Sequence, residues 1–159
     1  MKGSPKVIEQ LNKALGEELT SINQYFVHSE MYESWGYEKL ADFIKKRAIV
    51  EMKHAEGLVE RLLFLDGTPT MKAMELTMGK DIREMMQSDL NLELGAVKDY
   101  NAAIQVAVVE HDNGSKDLFE KHLEAEEGHV DWLEAQLHQI KEVGYENYVA
   151  NQTGEPNKE

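Results

Sequence analysis

Two Glu-x-x-His pairs, Glu51/His54 and Glu126/His129, lie 75 residues apart. Each is preceded by a further glutamate at one interval, Glu18 standing 33 residues before Glu51 and Glu93 standing 33 before Glu126. Residues three apart share a helix face, so each pair presents a carboxylate and an imidazole to one point. A single pair carries little information in a chain with 30 acidic residues; six residues repeated at one offset carry far more. The offset also takes Tyr25 onto Tyr100, Phe43 onto Leu118, Leu58 onto Leu133, Leu62 onto Leu137 and Leu65 onto Ile140. The chain is thus built on a repeated helix pair.

Apolar periodicity supplies the helices. Ser4-Pro5 reads as a capping hydroxyl followed by proline at the first helical position. Ile8, Leu11, Leu15, Glu18, Ile22, Tyr25 and Ser29 then recur at three- and four-residue steps, predicting a helix over about 5–34 closed by Ser34-Trp35-Gly36. Leu40, Ile44, Arg47, Glu51, His54, Leu58, Leu62 and Leu65 predict a second over about 38–65, stopped by Asp66-Gly67-Thr68-Pro69. Asp81, with Glu84 three residues on, caps a third over about 82–111, with Met86, Leu90, Glu93, Val97, Tyr100, Ile104 and Val108 inward. Asn113-Gly114 reads as a turn and Ser115 as the cap of a fourth helix, about 116–143, whose seam is Phe119, His122, Glu126, His129, Leu133, Leu137 and Ile140. Gly144 ends it, a short fifth helix over about 145–151 follows, and the tail from Gly154 is expected to fray.

The link over about 67–80 reaches about 46–50 Å when extended, against about 45 Å for a 30-residue helix. It is long enough to cross the bundle from end to end. The expected fold is all-α: an up-down four-helix bundle with one long crossover and a short C-terminal fifth helix, a single domain over 1–159.

Glu18, Glu51, Glu93 and Glu126 each fall near the middle of a helix and so converge at one depth. Four facing carboxylates repel and are costly to bury, no lysine occupies these seams at that level, and Arg47 alone cannot balance them. Two divalent cations can, and the imidazoles complete an oxygen-nitrogen donor set suited to iron or manganese, with zinc as competitor. Ferritin-like di-metal bundles carry this same donor arrangement. The absence of cysteine excludes disulfides, thiolate zinc sites and iron–sulfur clusters. A net charge of −13 argues against nucleic acid and favours cations. The N-terminus lacks an apolar signal core and no run of 18 apolar residues occurs, so no membrane partner is expected and the location expected is cytoplasmic.

Glu18-Leu19, Asn23-Gln24-Tyr25-Phe26, Glu51-Met52-Lys53-His54-Ala55, Glu60-Arg61, Leu92-Glu93-Leu94, Glu126-Glu127-Gly128-His129 and Asp131-Trp132-Leu133-Glu134 together resemble bacterioferritin, across nearly the whole chain. The resemblance implies a ferroxidase of two irons per subunit, oxidising Fe(II) with oxygen or peroxide and storing the product in a shell of 24 subunits built from two-fold dimers. It implies that Glu51 and Glu126 bridge the irons, that Glu18 and His54 complete one site and Glu93 and His129 the other, and that Tyr25 is a candidate electron donor. It further implies that Met52 of two subunits ligates one b-type haem, with Leu19, Ile22, Asn23, Phe26 and Ile49 lining the pocket, and that a ferredoxin-type reductant drives iron release. Members of that family commonly carry His or an acidic residue at positions 46 and 50 and Tyr at 58; here they are Lys46, Val50 and Leu58. With Lys53 and Gly57, Lys46 and Val50 form a stripe without a carboxylate, which predicts poor mineral nucleation along the second helix. Two other readings start from the same residues: a haem-carrying structural shell subunit with a slow di-metal site, and a di-iron oxidase or peroxidase of another kind.

Overall fold

The computed structural model describes residues 1–154; the expected frayed tail beyond Gly154 lies outside the described residues. Five helices follow in order: α1 Pro5–Ser34, α2 Glu38–Phe64, α3 Ile82–Val109, α4 Asn113–Val143 and α5 Tyr145–Ala150. α1 pairs with α2 and α3 with α4 as hairpins, and the two hairpins meet chiefly through α1 against α3. The link between α2 and α3 crosses the bundle, giving the ferritin-like four-helix arrangement. No helix among the described residues is long and apolar enough to cross a membrane.

Local chemistry explains the helix ends, with two departures from the sequence pattern. Pro5 opens α1, but the Ser4 hydroxyl makes no cap and donates instead to Glu110 Oε2 at the end of α3, 2.8 Å away. Asp81 caps α3 by accepting from Glu84 N at 2.8 Å, while Glu84 Oε2 accepts from Lys80 N at 2.9 Å. Asn113-Gly114 is not the turn between α3 and α4: it lies in the first turn of α4, which Asp112 caps by accepting from Ser115 N at 2.9 Å. The chain reverses one residue earlier, at His111, which takes a left-handed φ of 55°. Gly144, at φ 83°, ends α4 in a conformation that a side chain disfavours.

Two apolar clusters fill the bundle on either side of a polar middle. Leu11, Leu15, Leu58, Leu62, Tyr100 and Phe119 belong to one, and Tyr25, Tyr32, Ile44, Met86, Leu133 and Tyr148 to the other. The third helix buries a slightly different face from the one its pattern suggests. Val108 is exposed and Ala107 takes the inward place, because Val108 lies about 60° round the helix from Glu93 and Ala107 only about 40°. α5 closes one end by burying Tyr148, whose hydroxyl donates to Gln136 Oε1 at 2.8 Å.

The crossover has no regular secondary structure, so its backbone needs other partners. It runs along α1 and finds them on one face of that helix, at residues eight and then four apart. Asn12 Oδ1 accepts from Thr70 N at 2.7 Å, Thr20 Oγ1 from Met74 N at 2.8 Å and Gln24 Oε1 from Thr77 N at 3.3 Å. Between them the carbonyl of Lys72 comes so close to Gly16 that a Cβ there would meet it at 3.3 Å.

Candidate metal centre

Six of the repeated residues meet in the polar middle layer. Glu18, Glu51, Glu93, Glu126 and His129 are buried and His54 nearly so. The atom pairing is ordered. Glu51 places Oε2 3.1 Å from His54 Nδ1 and Oε1 2.9 Å from His129 Nδ1; Glu126 places Oε1 3.1 Å from His54 Nδ1 and Oε2 3.2 Å from His129 Nδ1. Glu18 faces His54 alone, at 3.6 Å, and Glu93 faces His129 alone, at 3.3 Å. Two four-residue groups result, Glu18/Glu51/His54/Glu126 and Glu51/Glu93/Glu126/His129, each with ligand atoms within 4.8 Å of one another. The shared members are the two carboxylates that split their oxygens.

One N–H on each imidazole cannot satisfy three carboxylates. Glu51 Oε1, Glu93 Oε2 and Glu126 Oε1 are buried without a hydrogen-bond partner, a cost that a protein seldom accepts without a cation. Protonation relieves part of it. Burial by itself lowers the pKa of each imidazole, but the facing carboxylates of Glu126, Glu18 and Glu51 outweigh it at His54 and hold that ring up to about 12. Those of Glu126, Glu51 and Glu93 hold His129 up to about 11. Burial pushes Glu18 and Glu93 well above the carboxylate range. At Glu51 and Glu126 burial acts the same way but is overcome, at Glu51 by bonds from His129 and His54, at Glu126 by those from Glu93, His129 and His54, so both stay below that range. Without metal, the balance of the centre draws protons towards both imidazoles and towards Glu18 and Glu93, and leaves Glu51 and Glu126 the more acidic members.

The pattern matches a family across nearly its whole length. The Ferritin-like domain family model covers residues 8–143. Bacterioferritin of Brucella melitensis is 40% identical over 93% of this chain and 92% of its own length. Bacterial ferritin of Synechocystis is 42% identical over 96% and 99%, and bacterioferritin of Streptomyces coelicolor is 40% identical over 94% and 90%. The chain belongs to the bacterioferritin family.

The remaining sequence-predicted residues fall into two places. Tyr25, buried on α1, donates its hydroxyl to Glu93 Oε1. Met52 lies off the bundle seam and half exposed, in an apolar groove of about 430 Å³ that Leu19, Ile22, Ala55, Val59 and Met71 also line. Asn23, Phe26 and Ile49 are exposed on the same two helices but do not line that groove. Leu58 is part of the apolar core. Lys46 and Lys53 are exposed, as their stripe requires.

Two polar partners of the centre were not singled out by the ligand pattern. Tyr100, the repeat mate of Tyr25, donates to Glu18 Oε1, so each half's tyrosine serves the other half's terminal glutamate. His122 packs its ring on that of His54, centroids 4.3 Å apart, with Nδ1 3.1 Å from the Tyr100 hydroxyl. The offset that pairs Tyr25 with Tyr100 was the available signal for the first. A histidine one turn before Glu126 on the same seam was the signal for the second.

Proposed function

We propose that this protein is a ferroxidase and iron-storage subunit in which Glu51 and Glu126 bridge two iron ions, with Glu18 and His54 completing one position and Glu93 and His129 the other. The observation that carries this is the splitting of both bridging carboxylates, one oxygen towards each imidazole. Iron is the substrate. Two Fe(II) ions enter as the protons on His54, His129, Glu18 and Glu93 leave, and each ion gives one electron to dioxygen or peroxide. Tyr25, bonded to Glu93, is placed beside the pair as an electron donor. The buried, water-poor layer keeps the carboxylates aimed without reorganisation.

The Met52 groove fits half of a haem site: a thioether facing outward from an apolar floor, on a surface that a two-fold dimer presents twice. Met52 of each partner would hold the iron, with Leu19 and Ile22 against the macrocycle and Asn23, Phe26 and Ile49 at its rim. Such a haem supplies one-electron transfer. Exposed Phe26, Ile49, Phe64, Met71, Met74 and Met78 give further apolar surface for burial between subunits in a 24-subunit shell. A ferredoxin-type reductant for release and a cytoplasmic location complete the reading.

The test is oxygen uptake and stopped-flow absorbance after Fe(II) is added to pure apo-protein, with particle size by light scattering. A fast phase saturating at about two irons per subunit in a shell-sized particle is expected; no fast phase would favour the structural-subunit reading. Met52→Leu should remove the haem Soret band from protein produced with ample haem while assembly persists.

A further inference from the structure

His122 has no role in the dinuclear arrangement, yet it is nine-tenths buried against it. It is 6% exposed, with Tyr100 on one side and the bare backbone of Gly57 on the other. On the inner side Nδ1 faces Tyr100, whose hydroxyl donates to Glu18 Oε1, while Glu18 Oε2 faces His54. Glu18 thus has one oxygen on the dinuclear side and one on the His122 side. A ligand atom from each of Glu18, His54 and His122 lies within 4.8 Å of the others, a third such group beside the two already described.

On the other side the ring faces the backbone of Gly57, where there is no side chain. A Cβ at Gly57 would stand 3.7 Å from His122 Nε2 and 3.4 Å from Leu118 Cδ1. Gly57 and Leu118 also line a surface cavity of about 450 Å³ to which Glu60, Asp117 and Lys121 contribute. Arg61 lines the cavity as well, so two carboxylates and two cations face it, and the His122 ring lies behind Gly57 and Leu118 rather than on its wall.

Satisfying the Tyr100 phenol does not account for the histidine. Tyr25, its repeat mate, is equally buried and makes its bond to Glu93 with no imidazole bonded to its own hydroxyl.

We propose that His122, with the Glu18 carboxylate and the Tyr100 hydroxyl, forms a third site for a first-row divalent cation, adjoining the dinuclear centre on the side of the Gly57 cavity. Nitrogen and oxygen donors of this kind suit Fe(II), Co(II) and Zn(II). An ion held there shares Glu18 with the pair, so Glu18 can pass it from one position to the next by exchanging oxygens.

This rests on the dinuclear reading, and the two fail separately. The experiment is anaerobic Co(II) titration of the assembled apo-protein, followed by calorimetry and visible absorption, with anomalous scattering from Co(II)-soaked crystals. Expected are two tight ions and a weaker third in wild type, the third lost in His122→Leu and weakened in Tyr100→Phe. Two ions in wild type, or a third that survives His122→Leu, overturns the third site alone; fewer than two overturns the dinuclear reading. Should His122→Leu not fold, the wild-type crystal decides, because anomalous density within bonding distance of a His122 nitrogen is required and its absence at saturating Co(II) refutes the site.

Discussion

The two ends of the centre are copies of one another in their ligands and opposites in what surrounds them. Around His54 stand His122, Leu118 and Gly57. At the repeat-equivalent positions on the other side stand Arg47, Phe43 and Trp132. There the Phe43 and Trp132 rings stack at 4.2 Å, and the Arg47 guanidinium lies over both, 5.5 and 5.9 Å from their centroids. A fixed cation on packed aromatic rings occupies one end, and an imidazole beside a glycine occupies the other. Under the proposed assignment, duplication gives a symmetric pair of metal positions, and divergence outside them gives a direction in which an ion would leave.

The largest effect tests the symmetric part. Glu18→Ala and Glu93→Ala each remove a terminal ligand and should weaken tight metal binding by more than about 100-fold, beyond what loss of an outer partner costs. Both should abolish the fast Fe(II) oxidation phase in stopped flow. A fast phase surviving in one variant alone would break the equivalence of the two positions.

Next comes pH. The pKa values of His54, His129, Glu18 and Glu93 are raised in the metal-free protein, so protons compete with metal at these groups. Binding expels those protons, so affinity rises with pH and falls on acidification, by about tenfold per pH unit for each proton released. Calorimetry in buffers of different ionisation enthalpy counts the protons. An affinity independent of pH would contradict the charge balance described for the centre.

Trp132→Ala opens the end that is packed. Half-buried as Trp132 is, its loss should cost about 2 kcal/mol from packing and the cation–π contact, seen as a lower thermal midpoint of the apo-protein. No change would mean that the aromatic stack is not holding that end together.

The tyrosine pair sharpens the comparison further. Tyr25→Phe and Tyr100→Phe each remove one hydrogen bond to a terminal glutamate, and slowing of oxidation by about 10-fold is expected in both, the scale of lost outer-shell support. Slowing confined to Tyr25→Phe would assign electron donation to that residue alone.

Gly57→Ala should have the smallest effect and the most diagnostic sign. Its Cβ fits at ordinary contact distance, so the helix gains up to about 1 kcal/mol and the midpoint rises by about 2–4 °C. Repeated iron additions should nevertheless be oxidised more slowly than the first. Equal rates in every round would show that the gap carries no traffic.

The convergence of the six residues and the bundle were legible because both depend on spacing. A carboxylate in an apolar seam stands out, and an offset repeated across six residues leaves few other arrangements. What spacing does not show is contact between unlike residues. Arg47 and His122 were both visible as polar interruptions of their seams, but only packing reveals that one lies on Phe43 and Trp132 and the other on His54. Asn113-Gly114 misled because turn propensity is local, whereas the Asp112 side chain reached Ser115 N and drew both residues into the helix. Gly16 and Gly57 had no reading from sequence since what each makes room for, the Lys72 carbonyl and the His122 ring, comes from a distant part of the chain.

The strap of residues along α1 has a consequence for where the metal ions can sit. Its rungs at Asn12, Thr20 and Gln24, with the gap at Gly16, work as a vernier. Sliding the strap by one helical turn, about 5.4 Å, would bring the Lys72 carbonyl against the side chain of Asn12 or Thr20 instead of the bare Gly16 backbone. Because the strap leads directly into α3, the same slip would carry Glu93 a full turn away from Glu18. A segment with no chemistry of its own thereby measures out the depth at which four helices from two hairpins bring their carboxylates level.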